Sequence, residues 1–181
     1  MHADNGARHV LSNVALLGAG VTADSDGAPT PAADGDLNDD GVIIGTGTAT
    51  SGLFNRNIFT PIDITMSSPG YVDAWIDFNA DGDWDDPGEQ ILRGARFTAD
   101  TLTQTFMVTV PTTAPVPATA TTTFARFRSS SVGRLEATGL AVDGEVEDYQ
   151  VTIVPGTPPT AVNDSYTLNE DGILVTTDAN G

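Results

Sequence analysis

The chain contains no cysteine and no lysine in 181 residues. Without cysteine there are no disulfides, no thiolate metal sites and no thiol nucleophile. All seven basic residues are arginine, and the only two histidines, His2 and His9, lie within the first nine positions. Cys–His chemistry is therefore excluded, and a Ser–His–Asp triad or a His-ligated zinc has almost nothing to draw on. No hydrophobic run is long enough to span a bilayer. Nor does any window combine a helical period with caps. Met1 leads straight into polar sequence, and no secretory signal is expected in these residues. An extracellular role thus carries the expectation that this chain is a fragment of a longer protein.

Acid is what the chain has in excess. Twenty aspartates and five glutamates against seven arginines give a formal charge of −18. This balance argues against nucleic acid, whose phosphates need a cationic surface, and against anionic lipid headgroups. The bias to Asp over Glu points to turns and loop ligation rather than helix faces. Such a charge is either tolerated as self-repulsion or neutralised by counterions, and divalent cations do this efficiently. Disorder is the alternative for a highly charged chain, but 39% of the residues are hydrophobic and many fall in alternating runs.

Those runs read as short strands separated by Gly, Pro, Asn or Asp clusters. The clear ones are Pro61–Ser67, Tyr71–Phe78, Leu102–Val110, Thr122–Ser130 and Tyr149–Val154. Weaker segments are His9–Leu16, Gly41–Thr48 and Gln90–Arg93. Ile62, Ile64 and Met66 share one strand face, as do Phe106, Val108 and Val110. Roughly eight such strands predict an all-β fold, an antiparallel β-sandwich of jelly-roll type, with a short extended C-terminal appendage. The expected organisation is a sandwich domain over 1–154, a Pro/Gly linker over 155–161, and the truncated start of a second domain over 162–181.

The strongest chemical signal is Asp77–Glu89, DFNADGDWDDPGE. Oxygen-bearing side chains recur at Asp77, Asn79, Asp81 and Asp83, with Asp86 and Glu89 beyond them and Gly82 placed for a sharp bend. Calcium takes six to eight oxygen ligands at about 2.3–2.6 Å, which a loop supplies by curling around the ion. An EF-hand would close on the residue occupied by Gly88, one position before Glu89, and a strand leads in rather than a helix. The alternative is a solvated acidic hairpin loop, opposed by the mutual repulsion of so many carboxylates. Asp36, Asn38 and Asp40 repeat the opening in DLNDDG, where calcium and a solvated turn compete evenly. A third acidic cluster is Asp143–Asp148, in which Glu145 and Glu147 share one side of an extended segment and Asp148 takes the other. Arg126 and Arg128 alternate on one strand face and are expected to pair with carboxylates, Glu145 or Glu147 among them. For these arginines, binding an external anion is the lesser alternative. Trp75 and Trp84 suit core or loop packing better than a sugar-stacking platform.

At DGEVEDYQVTI (Asp143–Ile153) the sequence resembles the GEVED domain of large bacterial secreted proteins, a family named for this peptide. The likeness extends through NGARHV (Asn5–Val10), the acidic stretch Ala23–Val42, WIDFNADGDWDDPGEQI (Trp75–Ile91) and ARFRSSS (Ala125–Ser131). It implies a β-sandwich in multidomain cell-surface or secreted proteins, often beside adhesin-like repeats, and it supplies no enzyme. Ala161–Thr176 resembles the start of a cadherin-like bacterial repeat, a type that stacks with calcium at its junctions. There Asn163, Asp164, Glu170 and Asp171 would ligate only with a neighbouring domain.

The expected function is that of a calcium-binding structural or adhesive module of an extracellular or cell-surface bacterial protein, with Ca2+ as its ion and no catalytic role. Its expected partners are neighbouring domains of the same chain and cell-surface or extracellular polysaccharide. Two alternatives stand beside it: a calcium-dependent carbohydrate-binding module, and a strand-exchanging subunit of an extracellular filament.

Overall fold

The computed structural model describes residues 6–10, 12–20, 39–46 and 51–156. These form ten strands and, among the described residues, no helix. In chain order they are β1 (Ala7–His9), β2 (Val42–Ile44), β3 (Leu53–Asn55), β4 (Thr60–Thr65) and β5 (Gly70–Ile76). The second half of the chain supplies β6 (Gln90–Phe97), β7 (Thr103–Val108), β8 (Thr121–Ser130), β9 (Gly139–Ala141) and β10 (Val146–Val154). A curled five-stranded sheet, in the order β3-β10-β8-β5-β6, faces a three-stranded sheet, β2-β4-β7. A two-stranded ribbon, β1-β9, lies outside both.

Period-two alternation builds the core. Ile62 and Ile64 of β4 and Val42 and Ile44 of β2 point inward from the small sheet. They meet Val72, Ala74 and Ile76 of β5, Ala125 and Phe127 of β8, and Val151 and Ile153 of β10. Phe54 meets Phe78 edge-on at 6.4 Å between centroids, and Phe127 meets Tyr149 likewise at 5.9 Å. Such pairs add to the energy of burial.

The outer face of the large sheet is covered too. Asp73 and Trp75 of β5 and Arg126 and Arg128 of β8 all lie on it, each at most 3% exposed. Register places Asp73 opposite Arg128, Trp75 opposite Arg126, and Asp148 of β10 opposite Arg126 from the other side. The chain from Ser131 to Asp143 and the β1-β9 ribbon close over these side chains. Double-sided burial explains why β5 reads YVDAWI rather than as a simple alternation.

The antiparallel sandwich expected from the sequence is present, with two parallel pairings added. β3 runs parallel to β10, and β1 parallel to β9. Both added strands, β3 and β9, are three residues long, too short to show a period. The segment expected only over Gln90–Arg93 continues to Phe97. Gly94, at φ +61°, donates its N–H to Asp73 Oδ1 at 2.6 Å, and β5 shifts register opposite, between Val72 and Ala74. Among the described residues of the expected His9–Leu16 strand, only His9 is in a strand, as the last residue of β1. Asp36, Asn38, most of the 155–161 linker and all of 162–181 lie outside the described residues.

Phe127 has no exposed surface and lies in the core cluster that joins side chains of both sheets. Phe127→Ala should lower unfolding stability by about 3–5 kcal/mol in urea titration, whereas Val132→Ala at an exposed site should change it by less than about 0.5. Equal effects would contradict this placement of the core.

Candidate metal centre

The loop 77–89 connects β5 to β6 and is tied at both ends. Ile76 donates its N–H to Glu89 O at 2.9 Å, and Asp77 donates to Phe124 O on β8 at 3.1 Å. Asp77, 2% exposed, turns back on the loop, its Oδ1 accepting from Ala80 N (2.7 Å) and its Oδ2 from Gly82 N (3.1 Å). That closure requires positive φ at Ala80 (60°) and Gly82 (94°), the second favourable only because the residue is glycine.

From there the alternate spacing becomes a series of side-chain turns, each oxygen accepting the N–H two residues on. Asn79 Oδ1 accepts from Asp81 N at 2.9 Å, Asp81 Oδ1 from Asp83 N at 3.2 Å, and Asp83 Oδ1 from Asp85 N at 3.0 Å. At the far end Glu89, 1% exposed, accepts from Phe78 N at 3.0 Å and Asp86 N at 3.3 Å. The result is a convergence: carboxylate oxygens of Asp81, Asp83 and Asp86 all lie within 4.8 Å of one another. Asn79 Nδ2 donates into this cluster, to Asp81 Oδ2 at 2.8 Å and to Asp86 Oδ2.

Electrostatics set the cluster against itself. Burial pushes the Glu89 carboxyl up to about 7, with the Asp77 and Asp86 charges adding to the rise. Asp77 is raised as well, chiefly by burial and further by Asp81. Arg126 stacks on Trp84, 5.4 Å from the ring centroid, while its charge is committed to Asp148, so it pins the loop rather than neutralising it. Three converging carboxylates could hold a metal ion. Asp77 and Glu89, by contrast, commit both of their oxygens to main-chain amides and hold the loop's shape, whereas Asp81 and Asp83 commit only one each.

Asp40 belongs to a different corner. Its Oδ1 accepts from Ala19 N at 3.0 Å, and its own N–H donates to Glu147 Oε1 at 3.0 Å. Its expected companions Asp36 and Asn38 lie outside the described residues. The Asp40 corner is built by the segment 143–149. Glu147 Oε1 also accepts from Gly41 N at 3.0 Å, while its Oε2 accepts from Tyr149 Oη at 2.9 Å. Glu145 Oε2 accepts from Leu17 N at 3.0 Å. Burial raises Glu147 to about 7, and burial with Glu147's charge raises Glu145 to about 9.

The arginines take partners other than Glu145 and Glu147. Register puts Glu147 opposite Phe127 and Asp148 opposite Arg126, so the two glutamates face away from the guanidinium groups. Arg126 grips Asp148 in a bidentate pair, Nε at 2.7 Å and Nη2 at 2.6 Å. Arg128 spends its five donors on Arg8 O, Glu136 O, Thr138 O, Gly139 O and His9 Nε2. Sequence reasoning placed both arginines on one face but missed His9, whose Nδ1 donates to Asp143 O at 2.7 Å.

A family model for the GEVED domain matches residues 71–152. Residues 71–152 are a GEVED domain. The match contains both the acidic loop and the peptide Gly144–Asp148. No curated protein and no solved structure matches the chain. Domains of this family are found in extracellular proteins. Among the described residues no helix is long and apolar enough to cross a membrane.

The geometry gives nearly every letter of the GEVED peptide a task. Gly144 sits at φ +87°, and a Cβ there would stand 2.0 Å from Ser129 O. Glu145 and Glu147 capture the amides of Leu17, Asp40 and Gly41, so they fasten the early chain to the domain. Val146 pairs with Arg128 in the β8–β10 ladder, and Asp148 neutralises Arg126.

Packed against the GEVED domain, His9 is held neutral, its pKa pushed down to about 4 by burial and then by the Arg128 charge. The unfolded chain, with a histidine value of 6.5, binds that proton more readily. The contribution of neutral His9 is complete above pH 6.5 and is lost as pH falls towards 4. In urea titrations at about pH 7 and about pH 4.5, the wild type should lose roughly 2 kcal/mol more than His9→Gln. Equal losses would show that His9 does not stay neutral.

Proposed function

We propose that this chain is a calcium-binding structural module of an extracellular bacterial protein. The observation that carries the reading is the convergence of Asp81, Asp83 and Asp86 within 4.8 Å on a loop whose shape is fixed by buried Asp77 and Glu89. Hard carboxylate and amide oxygens in a loop suit calcium, with Asn79 and water able to extend the shell. When bound, the ion supplies the positive charge that the loop lacks and links its two limbs. The chain's own residues do the rest. Asp77 and Glu89 hold the turns, Trp84 packs the loop onto Trp75 and Ala137, and Asn79 lies between two of the ligands.

The role we assign is mechanical rather than catalytic, a stiff unit between neighbouring domains. Trp75 and Trp84 are 3% and 8% exposed, so neither offers a ring face for sugar stacking. A polysaccharide contact that used these two rings is therefore disfavoured, and the calcium-dependent form of that alternative would rest on the ion.

Calcium that binds only the folded state stabilises it by about 2.7 kcal/mol at roughly a hundred times Kd. For a domain of this size that corresponds to a rise in melting temperature of roughly 5–10 °C. Calorimetric or fluorimetric melting in millimolar calcium against EDTA should show that rise, and Asp81→Asn/Asp83→Asn should remove it while melting normally in EDTA. An identical melting temperature with calcium and with EDTA would overturn the reading.

A further inference from the structure

One end of the domain carries apolar side chains that the fold does not use. The turn between β3 and β4 closes with Ile58 N–H on Asn55 O at 3.2 Å and presents Ile58 and Phe59, 58% and 62% exposed. Phe59 precedes buried Thr60 and so shares the outer face of β4 with Pro61. Pro61 is paired with Met107 of β7, which is 58% exposed. Phe59, Pro61 and Met107 thus share the outer face of the small sheet, with Ile58 exposed in its leading turn beside them in sequence, an apolar surface of the kind that marks a docking site.

The end of β10 brings the chain to this same turn. Arg56 N–H donates to Val154 O at 3.0 Å, and a methyl group added at Gly156 would lie 3.4 Å from Asn57 Nδ2 and 3.6 Å from Arg56 Cβ. Residues 157–181 include four acidic residues, no basic one, and a single concentrated apolar run, Ile173-Leu174-Val175. Sixteen residues separate Gly156 from Ile173. Sixteen residues span at most about 55 Å when fully extended, so the chain leaving Gly156 is long enough to return this run to the patch. Arg56 provides the matching charge, with Nη2 on Thr112 O at 2.5 Å. A second copy is the poorer occupant, because two chains of charge −18 repel.

We propose that the Ile58–Phe59 turn, with Pro61 and Met107, is the docking surface for residues 172–176 of this same chain, through which the domain is joined rigidly to its C-terminal neighbour. The inference is independent of calcium: it uses none of the loop 77–89. It makes the apolar turn a junction and Ile173-Leu174-Val175 its plug.

Hydrogen exchange on the 181-residue chain, wild type against Ile58→Asp/Phe59→Asp, tests it. Both substitutions are at exposed positions, so β5 and β8 amides should exchange equally in the two proteins. Amides of 173–176 should exchange at least about ten times more slowly in the wild type than in the variant. Free exchange of 173–176 in the wild type, or equal protection in both, would overturn the proposal. So would protection that grows with protein concentration, since that would assign the turn to a second copy.

Discussion

Buried carboxylates that accept main-chain N–H groups hold this domain together. Asp73 takes the amides of Gly94 and Leu135, Asp77 those of Ala80 and Gly82, and Glu89 those of Phe78 and Asp86. Glu145 and Glu147 do the same for Leu17, Asp40 and Gly41. A fold of short strands leaves many loop amides without ladder partners, and a buried amide without a partner is costly. Cysteine could have fixed the loops covalently, but there is none. Acidic side chains reach from the strand ends into the loops and satisfy the amides instead.

This solution creates a charge problem, which the domain meets in two ways. On the outer face of the large sheet, Arg126 and Arg128 supply positive charge from within, fixed by Asp148 and by the carbonyls of the covering chain. The 77–89 loop contains no basic residue of its own, and burial together with mutual repulsion raises Glu89 to about 7. Within the calcium reading, the ion is to the loop what the arginines are to the sheet. Removing one partner of such a buried arrangement is expected to cost more than the arrangement itself contributes.

Much of this was legible from the sequence. Alternation in PIDITMS and LTQTFMVTV identified β4 and β7 with their inward faces, and Ile62, Ile64, Met66, Val108 and Val110 are all buried. In the five-stranded sheet β5, β8 and β10 read as strands, but β5 and β8 are covered on both faces and so show no single inward face, and three-residue β3, like β9 of the outer ribbon, carries no period. Alternation correctly put Arg126 and Arg128 together, yet the choice between Glu147 and Asp148 as partner turns on one residue of register. The acidic loop was legible as a loop of ligand type. Its division of labour was not, since an aspartate that turns a chain and one that faces an ion have the same spacing. Burial alone separates Asp77 and Glu89 from Asp81, Asp83 and Asp86.

On the calcium reading, the carboxylates of the 77–89 loop converge because a cation belongs between three of them. Crystals of the domain grown with calcium and soaked in terbium would test this directly by anomalous scattering. The expected result is a single strong peak within about 2.3–2.6 Å of oxygens from Asp81, Asp83 and Asp86, with Asn79 turned to present its oxygen. A loop that keeps the Asn79 nitrogen between Asp81 and Asp86, with no anomalous peak there, would contradict it.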